Sequence, residues 1–173
     1  MILLRHPVTD AGSDICYGRL DVGLGEGAEP QITSALDALA QVTTLISSPA
    51  ARCRALADRI AARDGVELRI DDRLQEYDFG AWEGMRWDSI PREQSERWMQ
   101  DLWNNRAPGG ERYRDMVDRV ASALGDVPED ATIICHAGVI RAAMILFLDR
   151  TFDDVFAEKI PFCTPIQLMR EPA

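Results

Sequence analysis

The chain has 173 residues, 46% hydrophobic and 28% charged, which is enough for a self-sufficient core without disulfide or metal staples. Its formal net charge of -10 excludes non-specific nucleic-acid binding and a polybasic membrane anchor. Its two histidines, His6 and His136, are too few for a zinc site built mainly on histidine.

In chain order, residues 1–4 form an apolar run that ends at Arg5 and reads as a buried strand. Residues 7–30 are rich in Gly, Asp and Pro and read as a long loop. Apolar residues at Ile32, Ala35, Leu36, Leu39 and Val42 predict a helix over 30–42. Residues 44–46 read as a second strand. Ser48 before Pro49 suits a helix start with Pro49 in the first helical position. Alanine-rich residues 50–62 continue that helix, Gly65 ends it, and 66–70 form a third strand. Residues 72–85, broken by Gly80 and Gly84, read as irregular. A helix of interrupted periodicity is predicted over 87–103, with Trp98 and Met99 as covering residues. Residues 107–110 form a turn. Tyr113, Met116, Val117, Val120 and Leu124 lie on one face of a helix over 111–124. Residues 131–135 read as a strong strand, 138–148 as an apolar helix and 166–169 as a last strand. This alternation predicts an α/β sandwich with a largely parallel sheet. Ligands bind such sheets beyond the carboxyl ends of the strands.

No apolar run is long enough to span a bilayer, since the longest, residues 139–148, is interrupted by Arg141. Arg5 and His6 break the apolar start before a signal-peptide core can form. The four cysteines show no Cys-x-x-Cys pairing, so a cytoplasmic protein with reduced thiols is expected.

Both histidines fall at strand carboxyl ends, in Arg5-His6 and Cys135-His136, and the second strand ends at Ser47-Ser48-Pro49 with Arg52 and Arg54 following. This pattern points to phosphoryl transfer. A neutral imidazole can attack phosphorus and form a phosphohistidine. The charge on the equatorial oxygens needs fixed donors, which Arg5, Arg52 and the second histidine supply without a metal. The helix after Pro49 adds its positive end. A leaving oxygen needs a proton, and the loop 74–84 offers Glu76, Asp78 and Glu83 without choosing among them.

Several motifs carry a resemblance to a known family. Leu4-Arg5-His6-Pro7-Val8-Thr9 resembles the Arg-His-Gly opening of the histidine phosphatase superfamily, also called phosphoglycerate mutase-like. Ser47-Ser48-Pro49-Ala50-Ala51-Arg52 matches its second motif. Leu74-x-Glu76-x-x-Phe79-Gly80-x-Trp82-Glu83-Gly84 matches the third. Pro108-Gly109-Gly110-Glu111 and His136-Ala137-Gly138 match the last two. The resemblance implies one phosphoglycerate mutase-like domain over 1–173. Its fold would be a three-layer α/β/α sandwich with a mostly parallel central sheet and a short helical lid near 86–107. It implies His6 as nucleophile and Arg5, Arg52 and His136 as the phosphoryl cradle. Glu76 would be the proton donor and Thr9 a residue near the phosphate. No metal or cofactor is implied, and the partner is a small phosphorylated metabolite. One departure is Pro7, where the family has glycine, which removes an N–H and fixes φ.

The stretch from Asp14 to Leu24, with Cys16-Tyr17-Gly18-Arg19-Leu20-Asp21-Val22, resembles a segment of the alpha-ribazole phosphatases of cobalamin biosynthesis. It implies Tyr17, Gly18 and Arg19 as substrate-binding residues. Trp87, Trp98 and Trp103 are candidates to stack on a benzimidazole base. The short lid favours hydrolysis over mutase transfer. Three alternatives stand beside this reading. One is a broad-specificity phosphatase of small molecules. Another is a catalytically impaired phosphate-ligand binding protein. The third is a cysteine phosphatase reading of Cys135-x5-Arg141.

Overall fold

The computed structural model describes residues 1–169. Strands β1 (Ile2–Arg5), β2 (Leu45–Ser47), β3 (Leu68–Ile70), β4 (Thr132–Cys135) and β5 (Ile166–Gln167) form one sheet in the order β3-β2-β4-β1-β5. Four strands run parallel and β5 is antiparallel to β1 at one edge. The expected mostly parallel sheet is therefore present.

Helices cover both faces because side chains alternate along each strand. Leu3, Ile46 and Ile133 point into a core shared with helices α4 (Tyr113–Gly125) and α5 (Ala137–Leu148). Their neighbours Leu4, Leu45 and Ile134 point the other way, against α1 (Ala28–Ala38) and α2 (Ala51–Asp64). That makes three layers. Register sets the site. Arg5 pairs with Cys135 and Ser47 with Ile134, so His6, Ser48 and His136 emerge side by side at the carboxyl edge.

Several boundaries differ from expectation. Helix α1 starts at Ala28 and ends at Ala38, although Leu39 and Val42 stay buried beyond it. Helix α2 begins at Ala51, not Pro49. The Ala51 amide donates to the Asp21 carboxylate (3.1 Å), so the preceding loop caps this helix. The helix expected over 87–103 is split at Pro91 into a 3₁₀ turn, Trp87–Ser89, and helix α3 (Arg92–Gln100). Helix α6 (Phe152–Ala157) is an addition to the expected elements, although its capping box is visible as Thr151-x-x-Asp154, with Thr151 Oγ1 accepting from the Asp154 amide.

No helix among the described residues is long and apolar enough to cross a membrane. Ile133 is fully buried at the centre of the sheet. Ile133→Ala is expected to lower unfolding free energy by about 2–5 kcal/mol, read from urea titrations.

Candidate active site

His6 follows β1 directly, and its amide donates to the Cys135 carbonyl at 3.0 Å. Its Nδ1 lies 2.7 Å from the Pro7 carbonyl oxygen. A carbonyl only accepts, so Nδ1 carries the proton and Nε2 keeps a free lone pair. The ring is 2% exposed. Burial, with Arg52 and Arg5 adding repulsion, pulls its pKa down to about 3. His6 is therefore neutral at physiological pH, with Nε2 ready to act as a nucleophile.

His136 lies beside it, edge-on, with ring centroids 5.2 Å apart. Arg52 Nη2 approaches its Nδ1 at 3.3 Å and Ser48 Oγ its Nε2 at 2.8 Å. Guanidinium nitrogens only donate, so Nδ1 accepts and the Nε2 proton goes to Ser48. His136 is fully buried, and burial next to Arg52 pushes its pKa well below the usual imidazole range. Both ring nitrogens are thus engaged. His136 orients Arg52 in this arrangement, and it reaches an anion only by exchanging one of these partners.

Arg52 projects from the first turn of α2 and is 1% exposed. Its Nη1 donates to the Leu20 carbonyl at 2.9 Å and its Nη2 to the Gly18 carbonyl. Arg5 donates from Nη1 to the Ile160 carbonyl at 2.8 Å and stacks on Phe162. The Nε of each arginine is buried without a hydrogen-bond partner. Buried unsatisfied donors are rare. An oxyanion would supply what both lack.

Glu76 enters from the loop after β3. Its Oε1 accepts from the Tyr77 amide at 3.0 Å and its Oε2 from the Gly138 amide at 3.1 Å, at the start of α5. A Cβ on residue 138 would stand 2.2 Å from Glu76 Oε1, so only glycine lets the carboxylate approach. Arg119 holds this loop from behind through the carbonyls of Arg73, Gln75 and Glu76, while its guanidinium pairs with Glu111 at 2.6 Å.

Arg5, His6, Arg52 and Glu76 all line one cavity of about 320 Å³. Tyr17, Tyr77, Phe79, Trp87, Trp98, Tyr113 and Phe156 form much of the remaining wall. A second, polar cleft shares Arg52 and Glu76 and adds Gly18, Arg19 and His136.

The other expected residues divide. Tyr17 lines the cavity and receives support from Thr9, whose Oγ1 lies 2.9 Å from the Tyr17 hydroxyl. Thr9 itself is buried and does not line the cavity. Gly18 acts through its backbone, and a Cβ there would fall 1.8 Å from the Tyr77 carbonyl oxygen. The Arg19 guanidinium is paired with Asp78 at 3.3 Å and Glu111 at 3.6 Å. Trp87 and Trp98 stack on each other within the wall (6.2 Å between centroids), whereas Trp103 packs on Tyr113 and Phe152 instead.

Three contributors are resolved only by the fold. Ser48 is read from the sequence as a helix start and as part of the second motif, with no role assigned, and Cys53, 3.5 Å from His136 Nε2, is there one thiol among four. Glu83 is one of three candidate acids. Its carboxylate instead accepts from the amides of Gly18, Arg19, Leu20 and Phe79. The cysteine phosphatase reading fails on geometry. Cys135 is fully buried, burial pushes its thiol well above the usual range, and Arg141 donates to the Val155 and Glu158 carbonyls.

An α/β fold that gathers two buried neutral histidines, the buried Arg52 and the half-buried Arg5 near strand carboxyl ends is suited to handling phosphate. The chain belongs to the histidine phosphatase superfamily (branch 1), whose family model matches residues 1–169. Bifunctional protein Rv2228c of Mycobacterium tuberculosis is 32% identical over 158 residues, covering 86% of this chain. This chain spans only 43% of that relative's length. The structure of TTHB049 from Thermus thermophilus is similar with a TM-score of 0.68 and 28% identity, over 83% of this chain and 82% of that one. The structure of "a putative alpha-ribazole-5'-P phosphatase" from Escherichia coli has a TM-score of 0.85 over 95% of this chain and 86% of that one. Its 17% identity makes this a likeness of fold alone.

The buried imidazole has a consequence for stability. In the unfolded chain His6 takes up a proton near its ordinary value of 6.5, whereas in the fold it stays neutral down to about 3. The unfolded state therefore binds more protons in this window, and stability falls as pH drops through it. The slope from one such group approaches about 1.4 kcal/mol per pH unit. His6→Gln is expected to flatten the loss of stability between pH 6.5 and about pH 5 in urea titrations. An unchanged slope would contradict the buried neutral imidazole.

Proposed function

We propose that this chain is a metal-independent phosphomonoesterase working through a phosphohistidine on His6. The observation that carries the reading is the pairing of His6, neutral and with a free Nε2, with two arginines whose buried Nε atoms lack a partner. His6 Nε2 attacks phosphorus and the bond to the leaving oxygen breaks, with Arg5 and Arg52 holding the equatorial oxygens. Glu76 gives its proton to the leaving oxygen. Water then attacks the phosphohistidine, Glu76 takes the proton from it, and inorganic phosphate departs. His136 acts through Arg52, whose guanidinium it orients. Pro7 is compatible with this scheme, because His6 uses its carbonyl and not an amide.

The substrate read from this site is a small phosphorylated metabolite whose leaving alcohol, a ribose 5'-hydroxyl, carries an aromatic base: alpha-ribazole 5'-phosphate, in a cytoplasmic setting. Support comes from the aromatic wall that shares the cavity with His6, with Trp87 and Trp98 of the 86–107 lid as stacking surfaces, and from the Cys16-Tyr17-Gly18-Arg19 segment. Tyr17 would touch the substrate, while Gly18 and Arg19 shape the wall behind it.

Rapid quench with labelled substrate is expected to trap a base-stable, acid-labile phosphoenzyme. His6→Ala should abolish it and lower kcat by about 10³-fold or more, with Cys135→Ser close to the unmodified protein. A His6→Ala variant that still turned over would end the histidine reading. On substrate choice, kcat/KM for alpha-ribazole 5'-phosphate is expected to exceed that for glucose 6-phosphate by about 100-fold, the scale of one well-fitted pocket. Equal values would favour a broad phosphatase. No turnover of any phosphomonoester would favour a binding protein. Gly138→Ala, which places a methyl against Glu76, is expected to lower kcat by about 10²-fold with the fold intact by circular dichroism.

A further inference from the structure

Arginines are distributed unevenly over this acidic protein. Of the 18 in the chain, Arg170 lies outside the described residues. Eleven of the others are ion-paired with a carboxylate within 4.0 Å. The six that are not fall into two groups. Arg5, Arg52 and Arg141 line the catalytic cavity. Arg97, Arg106 and Arg112 line a different groove of about 460 Å³, with Asn104 and Asn105 beside them and no acidic side chain in the lining.

The backbone enforces this second grouping. Arg106 and Arg112 face each other in an antiparallel bridge closed by the Pro108-Gly109-Gly110 turn. Directly opposed residues in such a pair project from the same face, and like charges there are destabilising. Asp115 does not relieve them, because it accepts from the Arg112 amide and pairs with Arg114. Arg97 joins from α3. Among the described residues none of the three guanidiniums is ion-paired with a carboxylate, in a chain with 29 acidic residues, and the Arg97 and Arg106 side chains are open to solvent.

We propose that this groove is a second anion site, separate from the catalytic cavity, taking a small phosphate- or sulfate-type polyanion. Guanidinium groups match tetrahedral oxyanions in geometry and charge. The surrounding net charge of -10 repels long polyanions, so the ligand is compact. Trp98 lines both the groove and the catalytic cavity. The turn that carries the arginines packs on the loop after Glu76, with the Ala81 amide donating to the Pro108 carbonyl (2.8 Å) and the Glu111 amide to the Asp78 carbonyl (3.1 Å). An anion in the groove would thus stiffen the support of that loop.

Inorganic pyrophosphate is the probe. With the catalytic site saturated by vanadate, pyrophosphate is expected to bind the full-length protein with one further site in calorimetry. It should also shift the indole N–H resonance of Trp82, which lines the groove and not the catalytic cavity. Binding should survive about 150 mM salt, where diffuse charge is screened beyond about 8 Å. The R97Q/R106Q/R112Q variant is expected to lose that site by at least about tenfold in Kd while kcat/KM without pyrophosphate stays within about twofold, as for charged contacts outside the reacting centre. The proposal is overturned if the vanadate-saturated protein shows neither heat nor a Trp82 shift, if binding vanishes at that salt concentration, or if the triple variant binds as tightly as the unmodified protein. The vanadate-saturated titration uses the unmodified protein, so it tests the site even if the triple substitution misfolds. None of these readouts depends on catalytic turnover.

Discussion

One carboxylate organises the wall of the catalytic site. Glu83 accepts from the amides of Gly18, Arg19 and Leu20 on one strand of loop and from Phe79 on another. Because the peptide units of that first loop point their N–H groups at Glu83, the carbonyls of Gly18 and Leu20 are free to face Arg52. Arg52 in turn fixes His136, which is anchored on its other side by Ser48. A surface-facing loop is thereby tied, through a chain of polar links, to the centre of the sheet. Charge-assisted bonds of this kind are about twice as strong as neutral ones.

The same network explains how two imidazoles and two guanidiniums coexist in little space. Crowding cations would be prohibitive if the histidines were charged. Burial and the neighbouring arginines keep both neutral. The arginines instead spread their charge over backbone carbonyls of Ile160, Gly18 and Leu20. Their Nε donors are left buried without a partner, which is a desolvation cost in this fold.

The sheet and its functional edge are legible in the sequence because they rest on short-range signals. Apolar runs mark β1, β2 and β4, and each ends on a polar residue that the register then gathers. The core of α4 is legible for the same reason, since five apolar positions at helical spacing are all buried. What escapes depends on long-range contacts. Glu83 cannot be told from Glu76 and Asp78 without knowing that four amides converge on it. Trp103 has the same chemistry as Trp87, but its place against Phe152 follows from helix α6, which apolar periodicity does not reveal. The start of α2 is displaced from its expected position because its cap, Asp21, lies 30 residues away in sequence. Arg19 satisfies a motif, yet its guanidinium is engaged by Asp78 and Glu111.

Pro7 has a further consequence, one that concerns the unfolded chain. Its ring is buried next to His6, and its carbonyl sets the tautomer of that imidazole. A proline confines φ before folding begins, so fewer conformations are lost when this peptide unit is ordered, a gain of about 0.4–1 kcal/mol where the native geometry is compatible. Relative to glycine, the residue with the greatest conformational freedom to lose, the entropy saved is larger still. The acceptor that orients the His6 imidazole therefore sits on one of the least flexible units the genetic code allows. Here the loss of an amide donor is exchanged for a lower entropic cost of assembling the site.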